Sequence, residues 1–197
     1  MLRVAAEVFG ERGYHGASME EIASRAGVTK PMLYSYFESK DGLFAACGEA
    51  VATLLSNRMR EVAAMHDLPP DLRLWRGLVS VFTFIAEHRE LWFAFNPPAG
   101  MSAPAEAGAI AAHGREEVTR LLEELLTAGA IDEGVPPEAA LQVAPLAHAL
   151  TATVLAIAEW WLNHPDEPAE LQALRVMNFA WAGFGQLLKG EFWMPSS

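Results

Sequence analysis

Between Lys30 and Tyr36 the chain reads KPMLYSY, and these side chains suit contact with a polyanion better than covalent chemistry. On a helix, Leu33 and Phe37, four apart, share an inward face with Val28 packed below it. Lys30, Pro31, Met32, Tyr34, Ser35 and Tyr36 are then left largely outward. That face offers one cation and two phenolic donors. Tyrosine hydroxyls donate to phosphate oxygens, and an apolar chain such as Met32 can touch thymine methyls. Other chemistry finds no footing. The sequence has no Gly-rich phosphate loop, no GxSxG elbow and no Cys–His arrangement around Cys47. His88, His113, His148 and His164 lack metal-ligand spacing. His113-x-x-Glu116-Glu117 comes nearest, but a bundle di-iron site needs paired Glu-x-x-His segments. We expect no enzymatic activity, no metal and no cofactor.

The elements that must position this face are helical. No convincing period-two strand or Asn-Gly hairpin signal appears, so the fold class expected is all-α. Leu2, Ala5, Ala6 and Phe9 repeat at three and four, and Gly13 closes that helix. Ser18-Met19-Glu20-Glu21 forms a capping box, in which the Ser18 hydroxyl accepts from the Glu21 amide and Glu21 reaches back. Gly27 suits the left-handed position after the second helix. Thr29 caps a third helix with Pro31 in its first turn, and Ser39 caps a fourth with Asp41 near the positive end of the dipole. The Gly27-Val28-Thr29 turn has the length of a helix-turn-helix, whose second helix enters the major groove with its N-terminal residues at base edges.

Beyond this head the pattern predicts a fourth helix from Lys40 to about Met65, ended by Pro69-Pro70. A fifth carries Leu74, Trp75, Leu78, Val79, Phe82 and Ile85 on one stripe. The short aromatic segment LWFAFNPPAG stops at Pro97-Pro98. A helix from Glu106 to Ala128 is expected to close at Gly129. Two long helices follow, over 137–163 and 169–189, and Pro145 either kinks the first or marks its start. Both are apolar on more than one side, which predicts one face on their own core and another on a second copy of the chain. The division expected is a DNA-binding domain over 1–46 and a body over 47–197.

The bulk numbers fit this division. With 52% apolar and 20% charged residues, the 197-residue chain can bury a core. Its net charge of −11 at first argues against a nucleic-acid partner. Residues 1–46 hold five Lys and Arg against six Asp and Glu, a net of −1, so the acidity lies almost wholly in the body. A near-neutral head can still meet DNA while the body stays away from the phosphates. The single cysteine, Cys47, excludes an intrachain disulfide and agrees with a reducing cytoplasm. The opening MLRVAAEVFGERG makes a poor signal peptide. The uncharged stretch 139–158 is long enough to span a bilayer. It is rich in alanine and broken by Gln142, Pro145 and His148, which predicts a buried helix instead.

Taken together, FGERGYHGASMEEIASR followed by AGVTKPMLYSYFESKDGLF closely resembles the N-terminal domain of the TetR family of bacterial transcriptional regulators. The resemblance covers nearly all of residues 1–50, including Phe9, Gly13, Tyr14, Ser18, Ile22-Ala23, Ala26-Gly27-Val28, Leu33-Tyr34, Phe37 and Ser39-Lys40 before Leu43-Phe44. It implies a dimeric repressor that binds a palindromic operator and is released by a small effector. By position it implies base-facing roles for Thr29, Lys30, Pro31, Met32 and Ser35. It likewise implies phosphate contacts for Tyr34, Tyr36 and Lys40, and a helix N-terminus presented to the backbone at Ser18. It further implies a cavity in the body. There the aromatics Trp75, Phe82, Trp92, Phe93 and Phe95, otherwise ordinary core at helical spacing, would suit an apolar or aromatic ligand, with Met101, His113 and Trp160 as further candidates. The fourth helix, joining head to body, is the expected lever. Family members usually carry several more residues, often basic, before the first helix; with the sequence starting at Met1-Leu2-Arg3, the expectation is either that Arg3 supplies what remains or that the start is short. The alternative is a ligand-binding helical bundle whose head binds DNA weakly or not at all.

Overall fold

The computed structural model describes residues 1–89, 92, 95, 105–132 and 143–187. Among these residues there are eight helices and no strand: α1 (Leu2–Gly16), α2 (Met19–Ala26), α3 (Lys30–Phe37), α4 (Lys40–Ala63), α5 (Pro70–Glu87), α6 (Ala105–Asp132), α7 (Val143–Leu162) and α8 (Ala169–Leu187). The all-α expectation holds. The chain forms two compact units, one of residues 1–55 with 85–116 and one of 56–84 with 117–197.

The first unit is built around two phenylalanines. Phe9 of α1 meets Phe44 of α4 edge to face, with ring centroids 4.9 Å apart. Ala5, Ala6, Val8, Met19, Ile22, Ala23, Leu33, Leu43 and Cys47 complete the core around them. Each large apolar side chain withdrawn from water there contributes about 1.5–3 kcal/mol. Local signals fix the chain between helices. Gly13 interrupts α1 at a φ of 67°, and Gly27 ends α2 at a φ of 68° and ψ of 28°, the left-handed corner that favours glycine. Ser18 accepts from the Glu21 amide at 3.1 Å. The return half of that capping box does not form: the Glu21 carboxylate meets Arg12 at 3.4 Å.

The second unit pairs α7 with α8. Ala147, Leu150, Val154, Ala158, Trp161 and Leu162 recur at three and four along α7 and form its buried stripe. Pro145 falls in the first turn of α7 as described, and residues 133–142 before it lie outside the described residues. Trp161 packs on Phe82, centroids 6.0 Å apart, and its indole N–H donates to the Glu167 carbonyl at 2.8 Å. The Glu167 carboxylate accepts from the fully buried Gln172 at 2.9 Å and from Arg175. The rest of α7 is partly or fully exposed. The helix is long and apolar enough to cross a membrane, yet only 17% of its most apolar 18-residue stretch is buried within the chain. The expectation of a buried helix is therefore not met by one chain alone.

One further expectation is corrected. Gly129 does not close α6, which runs on to Asp132. A Cβ on Gly129 would lie 3.1 Å from the Pro70 ring, so the glycine serves a close approach inside the second unit. Arg73, outside the apolar stripe expected of α5, is 2% exposed. Of the aromatic segment at 91–100, only Trp92 and Phe95 lie within the described residues.

Gly42 is the tightest backbone contact in the first unit. A Cβ there would stand 2.3 Å from the Phe37 carbonyl oxygen, a backbone atom that cannot rotate away. Gly42→Ala is expected to destabilise the protein by about 1–3 kcal/mol, the range for forced overpacking, despite alanine's better helix propensity; a thermal midpoint equal to wild type would refute this. Glu167 supplies a second expectation. Hydrogen bonds from Arg175 and then Gln172 hold its pKa at about 2 against an ordinary 4.5. A depressed folded-state value stabilises above the ordinary pKa and is lost as pH falls towards the folded one. Glu167→Gln should therefore flatten the fall of the thermal midpoint between about pH 4.5 and pH 2.

Candidate nucleic-acid interface

α3 is a helix of eight residues with one fully buried side chain, Leu33. Thr29 caps it, its hydroxyl accepting from the Met32 amide at 3.3 Å. Phe37 and Val28 are partly buried against the head core, as the spacing predicts. The C-terminal turn passes through Glu38 at a φ of 59°, the one non-glycine residue with positive φ among those described. Its amide donates to the Tyr34 carbonyl at 2.8 Å, and Ser39 then caps α4 by accepting from the Gly42 amide at 2.9 Å.

This scaffold leaves one face of α3 in solvent. Lys30, Pro31, Met32, Tyr34, Ser35 and Tyr36 are all exposed, Tyr36 the most of the three large apolar or aromatic ones at 62%. Thr29 is exposed beside them, and Ser18 is half-buried at the start of α2. The Ser35 hydroxyl donates to the Met32 carbonyl at 2.7 Å, so in the free protein it is turned back onto its own helix. The sequence-expected contact residues thus lie on α3 and on the N-termini of α2 and α4, within one unit.

The charges are arranged less simply than a count suggests. Lys30 donates to Glu20 of α2, and its ammonium lies 5.8 Å from the centre of the Tyr34 ring. The shared hydrogen bond raises the Lys30 pKa and lowers that of Glu20. Arg3 pairs with Glu7 at 2.6 Å, Arg12 with Glu21 at 3.4 Å, and Arg25 with Glu11 at 2.6 Å. Among the described residues Lys40 alone of the five Lys and Arg at 1–46 has no carboxylate partner within ion-pair distance. Its ammonium lies 4.5 Å from the centre of the Tyr14 ring, and partial burial lowers its pKa. Tyr14 packs against both Phe9 and Phe44, and its hydroxyl donates to Asp41. Sequence spacing did not assign roles to Tyr14 or Glu20. Both act across helices, 26 and 10 residues from their lysines, where no helical periodicity links them.

The residues proposed for a ligand cavity are distributed differently. Phe82 is fully buried and Trp75 half-buried in the second unit. Phe95 belongs to the core of the first, stacked on Phe44 with centroids 4.5 Å apart. Trp92 is half-buried and His113 exposed. Trp160 is 46% exposed, stacked on the His164 ring at 4.1 Å with the Arg175 guanidinium 5.2 Å from its centre. Phe93 and Met101 lie outside the described residues.

Comparison with known proteins agrees with this geometry. The family described as bacterial regulatory proteins, tetR family, matches residues 1–47, and the tetracyclin repressor-like C-terminal domain matches residues 70–183. The HTH-type transcriptional activator FasR of Mycolicibacterium smegmatis is 29% identical over 95% of this chain and 82% of its own. A TetR-like transcriptional regulator from a Rhodococcus species superposes with a TM-score of 0.71 at 27% identity, covering 93% of each chain. The regulator FadR of Bacillus subtilis, solved with stearoyl-CoA, superposes with a TM-score of 0.78 at 20% identity over 92% of this chain and 96% of its own.

Proposed function

The chain belongs to the TetR family of bacterial regulatory proteins, and from that premise we propose that it is a ligand-responsive repressor that binds a palindromic operator as a dimer. The observation that carries this reading is the exposed face of α3. A helix that commits one side chain to the core leaves Met32, Tyr34, Ser35 and Tyr36 to solvent. Large apolar and aromatic side chains held outward on a rigid short helix are an interaction surface. Thr29, Lys30, Pro31, Met32 and Ser35 face bases, Tyr34, Tyr36 and Lys40 take phosphates, and Ser18 presents the α2 N-terminus to the backbone.

Dimerisation runs through α7 and α8, within the spans 137–163 and 169–189. Trp160, Leu174 and Phe179 support it, because they stand exposed on these helices and Phe179 is 72% exposed. Two recognition helices then lie about one DNA turn apart, as two-fold symmetry and a palindrome require. The effector is an apolar or aromatic small molecule bound by the body, and it acts through its different affinity for the DNA-competent and DNA-incompetent states. α4 carries the change, since its residues contribute to both units; an effector-bound structure with α4 unmoved would remove it from that role. The head spans 1–46 and the body 47–197. The name of the M. smegmatis relative favours activation as a second reading, and the sign of the change in transcript on gene deletion decides between them.

The test is a polarisation titration at low salt with DNA from immediately upstream of the protein's own gene. Wild type should bind, and the Tyr34→Ala, Lys40→Ala double variant should bind at least tenfold more weakly with an unchanged thermal midpoint. Equal binding by the two would sink the assignment of these contacts. Compounds that release the complex identify the effector, and stearoyl-CoA is a first probe because the B. subtilis neighbour was solved with it. For the dimer, Phe179→Asp should shift the mass measured by light scattering from dimer towards monomer. A variant that stays dimeric places the seam elsewhere.

A further inference from the structure

Lys40 differs from the other cations of the head in how its charge is held. Arg3, Arg12, Arg25 and Lys30 are each neutralised by a glutamate. Lys40 instead rests against the Tyr14 ring, 4.5 Å from its centre. Asp41, next in sequence, accepts from the Tyr14 hydroxyl. The ring itself is fixed. It packs 5.2 Å from Phe44 and 6.1 Å from Phe9, within the core that also seats Leu33 of α3.

We propose that Tyr14 is the positioning residue for Lys40: its ring holds the ammonium, so that Lys40 meets a DNA phosphate as an unneutralised, pre-aimed cation. The inference rests on the head being a DNA interface. The physical case has three parts. A lysine stem is flexible, and restraining it before binding removes an ordering cost that would otherwise fall on the complex. An ammonium over an aromatic face keeps its full charge, whereas one paired with a carboxylate must exchange that partner for the phosphate. Tyr14 also links the cation to the core that holds α3, so the base-facing helix and the phosphate contact share one rigid support. Tyr14 touches no DNA in this scheme and acts through Lys40.

The experiment uses the full chain and a mixed-sequence duplex at low salt, since phosphate contacts are independent of sequence. Binding is measured against salt for wild type, Tyr14→Leu, Tyr14→Phe, Lys40→Ala and the Tyr14→Leu, Lys40→Ala double variant. Proton NMR follows the Lys40 ε-methylene, which a ring beneath it shifts upfield. Lys40→Ala should reduce the salt slope by about one, the value for one phosphate contact. Tyr14→Leu should weaken binding by about three- to tenfold, the range of a partly desolvated cation–π contact, and abolish the upfield shift. Tyr14→Phe, which preserves the ring and its packing, should restore the shift and most of the affinity. In the Lys40→Ala background Tyr14→Leu should change nothing further, because the effect passes through Lys40. An equal loss in both backgrounds, or an absent upfield shift in wild type, overturns the proposal. If wild type binds and Lys40→Ala binds equally well, the positioning role falls while the DNA interface stands. If wild type binds no duplex at low salt, the interface reading fails and takes this proposal with it.

Discussion

The head depends on the seat of Leu33. A helix of eight residues has no independent stability in water, where isolated helices below about 12–15 residues are marginal, so α3 holds its shape through what it is attached to. Leu33 is its one fully buried side chain, inserted among residues that Phe9 and Phe44 organise. Thr29 at one end and the strained Glu38 turn at the other fix the helix along its axis. Because so little of α3 is spent on the core, most of its side chains remain for an external surface. The economy has a cost in tolerance. The close approach of Gly42 to the Phe37 carbonyl and the left-handed Gly27 leave no slack on either side of the helix.

Electrostatics follow from the same construction. The head has almost no net charge, and its cations are largely spent on glutamates of neighbouring helices. Long-range attraction to DNA is therefore weak, and affinity must come from contacts made at hydrogen-bond and van der Waals range. Such contacts suit the exposed tyrosines and methionine of α3 better than a basic stripe would. The Glu20–Lys30 pair fits the same economy: an exposed ion pair contributes little stability, so its loss would not unsettle the fold.

Much of this could be read before any coordinates because it is local. Capping depends on side chains within three residues of their targets, and Ser18, Thr29 and Ser39 each accept the amide that spacing assigns them. Leu33 inward with Tyr34 and Tyr36 outward follows from helical period alone. What could not be read is non-local. Periodicity says that Phe82 and Phe95 are apolar-facing, but not that they join different cores. Gly129 looked like a helix stop because glycine is common there, whereas its use is a close approach to Pro70, 59 residues earlier in the chain. The Tyr14–Lys40 contact belongs to the same class: two ordinary residues become a device only when α1 and α4 are brought together.

The body raises a different constraint. α7 buries one narrow stripe and exposes the rest of a strongly apolar helix, and α8 adds Leu174 and Phe179 to that outward surface. A chain of this composition, without a partner for these faces, would carry an apolar patch of the kind that soluble monomers avoid. The same helices that lack a partner are anchored to each other by Trp161, Gln172 and the Glu167–Arg175 pair, so their outward faces are held in a fixed relation. A two-fold dimer would use the same patch on both subunits, so under the proposed pairing α7 and α8 would meet their own copies. Folding and pairing would then be linked by mass action, with stability rising with chain concentration. In such an assembly the spacing of two α3 helices is a property of the dimer and not of either chain. A small molecule that alters the body can therefore change DNA recognition without touching a single base-facing residue.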